Sequence, residues 1–331
     1  MRLSIVSTLY SSASHLEEFC RRASDAARQL TQDFEIVLVN DGSPDRSLDV
    51  ALDVRRRNAH VKVVDLARNF GHHKAMMTGL SHARGDLVFL IDSDLEESPE
   101  LLSAFFAEMQ RTGADVVYGV QSKRRGNAFE RATGAMYYTL FNAITSQPIP
   151  RNLVTVRLMT QRYVRALVAH QEREIMIAGL WTITGFTQTP LPVEKRHKGA
   201  SSYSVRRKIT HLVNSVTSFS SMPLVFIFYL GLSISAFAGV FGLYLVIRRL
   251  FFGVLLEGWP SLIVSVWFLG GLTLLSLGVI GVYLAKVFME VKQRPYTIVR
   301  DIYEAGVNAG ADDGAAAESP WSAARVPTTH R

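Results

Sequence analysis

Residues 87–98, "LVFLIDSDLEES", decide how this chain is read. Five apolar residues, 87–91, run straight into Asp92, Asp94, Glu96 and Glu97. A short continuous apolar run closed by a polar break is the pattern of a buried strand. Residues two apart on a strand share a face, so Asp92 and Asp94 leave its end pointing the same way. Hard divalent cations take oxygen ligands, often one or two carboxylates completed by substrate phosphates. A solvated loop with acids in the first turn of the next helix has the same spacing, because the helix dipole favours them there. Spacing alone serves both readings, and the neighbouring segments tip the balance.

Those neighbours alternate. β-rich runs occur at 3–9 ("LSIVSTL"), 35–40 ("EIVLVN"), 61–66 ("VKVVDL"), 86–92 ("DLVFLID") and 114–120 ("ADVVYGV"). Helix-like stretches lie between and after them, at 15–30, 45–58, 73–83, 99–111 and 128–145. Such alternation predicts an α/β fold, a mostly parallel sheet with helices on both faces. Ligands of such sheets bind beyond the carboxyl ends of the strands. Strands one, two and four end in "TLYSS", "NDGS" and "DSDLEE", so polar residues collect on that edge. Asp41 closes the second strand, where a carboxylate accepts from a nucleobase N–H or a ribose hydroxyl; "NDGSPD" is equally ordinary turn chemistry. In "LARNFGHHKAMMTGLSHARGD" (66–86), Arg68, Asn69, Gly71 and Lys74 sit at a strand-to-helix turn, which presents backbone N–H groups and a cation to an anion. The adjacent His72 and His73 are poorly spaced for one metal and read as surface or hydrogen-bonding residues.

The 331 residues are 48% hydrophobic and 20% charged, room for one large domain and something smaller. Cys20 is the single cysteine, which excludes an intrachain disulfide. The start, "MRLSIVSTLY", turns polar too soon for a signal peptide and reads as a first strand. Composition changes near residue 223. The stretches 224–247 and 262–285 carry no charge, and each is long enough to cross a bilayer core of about 30 Å. Lys195, Arg196, Lys198, Arg206, Arg207 and Lys208 precede the first; Lys286, Lys292, Arg294 and Arg300 follow the second. That bias places both ends in the cytoplasm, with Arg248 and Arg249 as weak opposition. The net charge of +7 thus clusters beside the spans, which points to a lipid surface and away from nucleic acid. Apolar residues at helical spacing in 204–222 predict an amphipathic helix, either in the membrane interface or in the core. The predicted layout is a catalytic domain at 1–203, an interface helix at 204–222, spans at 223–248 and 261–286, a cytoplasmic segment at 287–304 and a disordered tail at 305–331.

"NDGSPD", "RNFGHHKAMMTGLSHARGD", "IDSDLEESPE" and "ADVVYGVQSKRRG", in this order and followed by a basic loop and two spans, resemble the polyprenyl-phosphate branch of glycosyltransferase family 2. The resemblance covers roughly residues 3–300. It implies a GT-A (Rossmann-like) fold, a nucleotide-sugar donor and Mg2+ or Mn2+. It implies inverting transfer of one sugar to a polyprenyl (undecaprenyl) phosphate on the cytoplasmic face of a bacterial inner membrane, by a monomer or a homo-oligomer. Matched position by position, Asp92 and Asp94 become the metal and diphosphate residues, with Glu96 at a further metal position. Thr8, Tyr10, Asp41, Asn69 and Lys74, together with Asp92, fall at the nucleotide-sugar site. Arg131 falls near the phosphates as a catalytic residue. Arg131, Arg157, Lys198, Ser201 and Ser202 fall where the acceptor phosphate is met.

Two departures stand out. Thr8, Ser11 and Ser12 replace a Pro, Asn and Glu, and Thr155 replaces the family's acid. A hydroxyl acceptor needs that acid as a base. A phosphate monoester, with its second pKa at about 6, is mostly dianionic at neutral pH and is its own nucleophile. The alternatives are a family 2 transferase acting on a hydroxyl or a growing polymer, or an inactive nucleotide-binding membrane protein. Two spans are few for a polymer channel, and no Gln-x-x-Arg-Trp sequence is present.

Overall fold

A computed structural model describes residues 1–121, 152–194, 217, 222–252 and 258–304. Its first half follows the predicted alternation: β1 (Leu3–Leu9), α1 (Leu16–Arg28), β2 (Phe34–Asn40), α2 (Ser47–Arg57), β3 (Val61–Leu66), α3 (His72–Ser81), β4 (Leu87–Leu90), α4 (Leu101–Thr112) and β5 (Val116–Gln121). Then come β6 (Leu153–Thr160), α5 (Gln161–Val168), α6 (Ile177–Ile183), β7 (Gln188–Val193), two long helices α7 (Met222–Phe252) and α8 (Trp259–Val291), and β8 (Val299–Tyr303).

β1 to β4 are buried at every position. Both faces of the sheet are covered, and the alternation of side chains divides the core in two. Ile5, Ile36, Leu38 and Phe89 face one layer with Phe19 of α1 and Phe105 of α4. Val6, Val37, Val39 and Leu90 face the other with Met76 and Leu80 of α3, Tyr163 of α5 and Trp181 of α6. Mostly apolar strands suit this position; among their buried polar residues, Ser4 pairs with Glu35 and Asn40 with Asp65.

All eight strands form one sheet in the order β7-β5-β6-β4-β1-β2-β3-β8. β3, β2, β1 and β4 run parallel, as do β5 and β7. β6 runs antiparallel to both β4 and β5, and β8 runs antiparallel to β3. The result is the GT-A-like arrangement, a mixed sheet that is mostly parallel. β6, β7 and β8 were not anticipated as strands. The helix expected at 128–145, the interface helix at 204–222 (apart from Thr217 and Met222) and the tail at 305–331 lie outside the described residues.

Within α7 and α8, 222–244 and 262–291 are long and apolar enough to cross a membrane, and neither window is buried against the rest of the chain. Phe226, Phe237, Trp267 and Leu274 are among the large apolar side chains left open. Apolar surface on this scale marks a site of contact with lipid or protein.

The segment after α8 returns to the sheet. Ala67 N–H donates to the Ile298 carbonyl at 2.9 Å, and the Thr78 and Thr297 hydroxyls meet at 2.8 Å. Lys62 and Arg84 pair with the Glu304 carboxylate at 2.8 and 3.3 Å. The end of α8 is held as well: Lys286 pairs with Glu174 at 2.7 Å, and Glu290 accepts from the Arg173 backbone at 2.7 Å. α8 is thus tied at its end to the body that carries the strand termini.

Candidate active site

β1 lies between β2 and β4, so their carboxyl ends converge. Serine hydroxyls fix the loop that leaves β1. Ser12 Oγ lies 3.1 Å from Ser93 Oγ and accepts from the Tyr10 N–H at 3.2 Å, and Ser93 Oγ donates to the Thr8 carbonyl at 2.9 Å. The Ser12 amide donates to Ser47 Oγ at 2.8 Å. The β1 loop is thereby stitched to the β4 loop that carries Asp92 and Asp94. This is a structural use for a serine at the position where the family pattern has Glu. The same loop leaves the Tyr10 ring exposed.

Asp41, at the end of β2, is only 2% exposed. Its two oxygens accept from the Phe70 and Gly71 amides at 2.7 and 3.0 Å. Burial pushes its pKa up, and the two N–H donors pull the other way. The carboxylate therefore clamps the turn that opens α3. Gly42 beside it has φ +58°, and a Cβ there would collide with the Arg68 and Asn69 backbone. That close approach is why glycine follows Asp41. In the clamped turn Asn69 is exposed, and Lys74 is half-buried in the first turn of α3.

The clamp aims the first residue of α3 into the site. His72 Nδ1 lies 3.0 Å from Thr8 Oγ1, and Nε2 lies 3.4 Å from Asp92 Oδ1. The sequence reads both histidines as surface or hydrogen-bonding residues, poorly spaced for one metal, and both are exposed and hydrogen-bonded. Successive helical residues point about 100° apart, so the two serve different partners: His73 Nδ1 meets the Ile175 carbonyl at 3.1 Å. The usable signal was position, the first helical residue after the Gly71 turn.

Asp92 and Asp94 are half-buried past the end of β4. Asp94 Oδ1 accepts from the Glu96 amide at 2.9 Å, across a turn in which Leu95 has φ +60°. Among the described residues no three His, Cys, Asp or Glu side chains gather as a metal cage. Asp92, Asp94 and Glu96, expected as the metal set, do not form such a group. Two carboxylates still suit Mg2+ or Mn2+, which commonly take one or two from the protein and the remainder from phosphate and water. The donor set fits a metal carried in with a diphosphate.

Arg157, on β6, has no exposed surface. Its guanidinium lies over the Trp181 ring, 2.9 Å from the centroid, and donates to the Thr155 and Val154 carbonyls at 3.2 and 3.4 Å. Among the described residues no carboxylate pairs with it, and burial lowers its pKa to about 9. Arg131, Lys198, Ser201 and Ser202 lie outside the described residues.

The family model for Glycosyl transferase family 2 matches residues 4–167, from β1 into α5 and so across every strand end described above. A protein of Mycobacterium tuberculosis described as "Putative glycosyltransferases" is 54% identical over 303 residues, 92% of this chain and 89% of its own. The chain belongs to glycosyltransferase family 2. The SfII prophage-derived bactoprenol glucosyl transferase of Shigella flexneri is 31% identical to the transferase over 303 residues, 91% of this chain and 98% of its own. An uncharacterized glycosyltransferase of Bacillus subtilis is 32% identical over 306 residues, 92% of this chain and 94% of its own. The crystal structure of Staphylococcus aureus TarS 1-349 in complex with UDP-GlcNAc is 17% identical with a TM-score of 0.44, covering 66% of each chain. The family model stops at residue 167, whereas the alignments with these relatives take in nine-tenths of the transferase.

Proposed function

We propose that this transferase moves a single sugar from a nucleotide-sugar donor to a polyprenyl phosphate, with Mg2+ or Mn2+, at the cytoplasmic surface of a bacterial inner membrane. The observation that carries the proposal is connectivity. The sheet that ends in Asp41, Asp92 and the β1 loop is continued by β8, and β8 follows directly from the apolar, unburied α8. A site fit for a diphosphate and a pair of membrane-type helices therefore belong to one body. Relatives named as bactoprenol glucosyl transferases support a polyprenyl carrier as acceptor. Because the chain leaves the sheet before α7 and rejoins it after α8, the two helices cross an even number of times. Basic residues on both outer flanks favour the cytoplasmic side for that domain.

In the mechanism, Asp92 and Asp94 would hold the metal, which would supply charge neutralisation for the departing nucleoside diphosphate. Tyr10, Asn69 and Lys74 line the loops around the nucleoside and phosphates, beside the turn that Asp41 clamps. The acceptor phosphate attacks the anomeric carbon from the face opposite the leaving diphosphate. The new C–O bond forms as the bond to the diphosphate breaks, and the configuration inverts. No base is needed, since the phosphate arrives ionised; this accords with Thr155 at the family's acid position. Arg157 falls at the acceptor subsite by resemblance, its buried guanidinium being held over Trp181 and by the Thr155 and Val154 carbonyls. Arg131, Lys198, Ser201 and Ser202 complete that assignment by resemblance. Positioning and charge complementarity provide the acceleration.

Purified protein offered a panel of nucleotide sugars, either metal and a short polyprenyl phosphate is expected to form one sugar–phospholipid product. Asp94→Asn is expected to abolish it. Undiminished transfer by that variant overturns the role of Asp94. A polymer, or transfer to a hydroxyl acceptor only, overturns the acceptor.

A further inference from the structure

We infer that His72 is a positioning residue for Asp92, holding that carboxylate in the orientation that meets the donor's metal–diphosphate. The inference deepens the proposed function and rests on its placement of Asp92. Residues from a strand, a helix and a loop converge here. The imidazole has Thr8 Oγ1 at 3.0 Å on one nitrogen and Asp92 Oδ1 at 3.4 Å on the other. A carboxylate only accepts, so the nitrogen facing Asp92 carries the hydrogen. In the neutral ring Nδ1 is then the acceptor, and the Thr8 hydroxyl donates to it. Thr8, His72 and Asp92 thus form a chain of contacts, with the Thr8 hydroxyl at one ring nitrogen and the Asp92 carboxylate facing the other.

Both anchors are rigid. Thr8 lies on β1 opposite Val39, and its carbonyl accepts from Ser93 at 2.9 Å. The backbone before His72 is clamped by Asp41, and the Gly71 carbonyl accepts from Lys74 and Ala75 at 3.0 and 3.1 Å. A ring held between such supports restricts the carboxylate it faces, in the way outer partners orient metal-binding groups. The His72 side chain is 48% exposed, so core packing does not account for it. Thr8 gains a specific role as well: the Pro of the family pattern has no hydroxyl to offer the ring.

The test is Mn2+ binding by the purified full chain with UDP and, in parallel, GDP, read from the paramagnetic signal of free Mn2+. His72→Ala is expected to weaken Mn2+ binding about 10- to 100-fold, the usual range for an outer partner, with the melting temperature unchanged. It should raise the Mn2+ concentration for half-maximal transfer more than it lowers the rate at saturating metal. His72→Gln, which keeps a donor near the Nε2 position, is expected to restore most of the binding. His72→Asn, which reaches only toward Thr8, is not. Binding by His72→Ala within about twofold of wild type, with Asp92→Asn clearly impaired, overturns the role of His72 alone. Rescue by His72→Asn as good as by His72→Gln does the same. Wild-type protein that holds no Mn2+ with either nucleotide, or Asp92→Asn that binds as wild type does, overturns the placement of Asp92 and the inference with it.

Discussion

Arg157 brings a charge into a fully buried position where, among the described residues, tyrosines, a tryptophan and carbonyls are its neighbours. Replacing a buried charged group by an apolar one of similar volume is often neutral or stabilising. Arg157→Met is therefore expected to keep or raise the melting temperature while transfer to the lipid phosphate falls at least about tenfold, as loss of a charge-assisted contact implies. A marked fall in melting temperature, seen by calorimetry, would make Arg157 a structural residue. At this scale much of the candidate site was legible. Asp41, Asp92 and Asp94 stand out because each follows an apolar run on the edge where ligands bind. The clamping use of Asp41 was not legible, since its partners are backbone amides about thirty residues away. His72 was legible as a surface or hydrogen-bonding residue, but its partners, Thr8 and Asp92, were not, because they lie on other elements.

At the scale of elements, α3 ends on His82, its C-cap. Burial, then Lys62 and Arg84, lower the His82 pKa from 6.5 to about 4. The folded state thus keeps the ring neutral where the unfolded chain has begun to protonate it. With the folded pKa depressed, the stability tied to this group is complete above pH 6.5 and is lost as pH falls from there toward 4. The loss is at most about 3 kcal/mol. His82→Gln is expected to flatten that part of the stability–pH curve, measured by denaturant unfolding from pH 7 to 4. A curve of unchanged slope would remove His82 from the acid response.

β1 to β5 could be read because each is a compact run rich in apolar residues, and a helix follows each of β1 to β4. β7 hides behind two prolines, which only an edge strand accommodates. β8 hides behind Arg300 and Asp301 in mid-strand, which its exposed edge position permits.

Across the whole molecule, β8 joins what lies before the apolar helices to what lies after them. Lys62 is nearly buried, and Glu304 is its acidic partner. Glu304→Gln leaves Lys62 and Arg84 facing each other, and is expected to destabilise the domain by on the order of 2 kcal/mol, less than for a fully buried pair because Glu304 is partly exposed. Thermal unfolding in detergent measures it, and an unchanged midpoint would show that the strand pairing alone suffices. The two spans themselves were plain from composition. Their return to the sheet was not, because strand pairing across more than two hundred residues leaves no local signature.

The antiparallel pairing of β8 with β3 also orders events in the life of the chain. A ribosome finishes β3 long before it reaches β8, and both long helices emerge in between. Until β8 has emerged behind them, β3 keeps a bare edge and Lys62 lacks its acidic partner. The sheet that carries the candidate site is therefore closed only after both long apolar helices have been made.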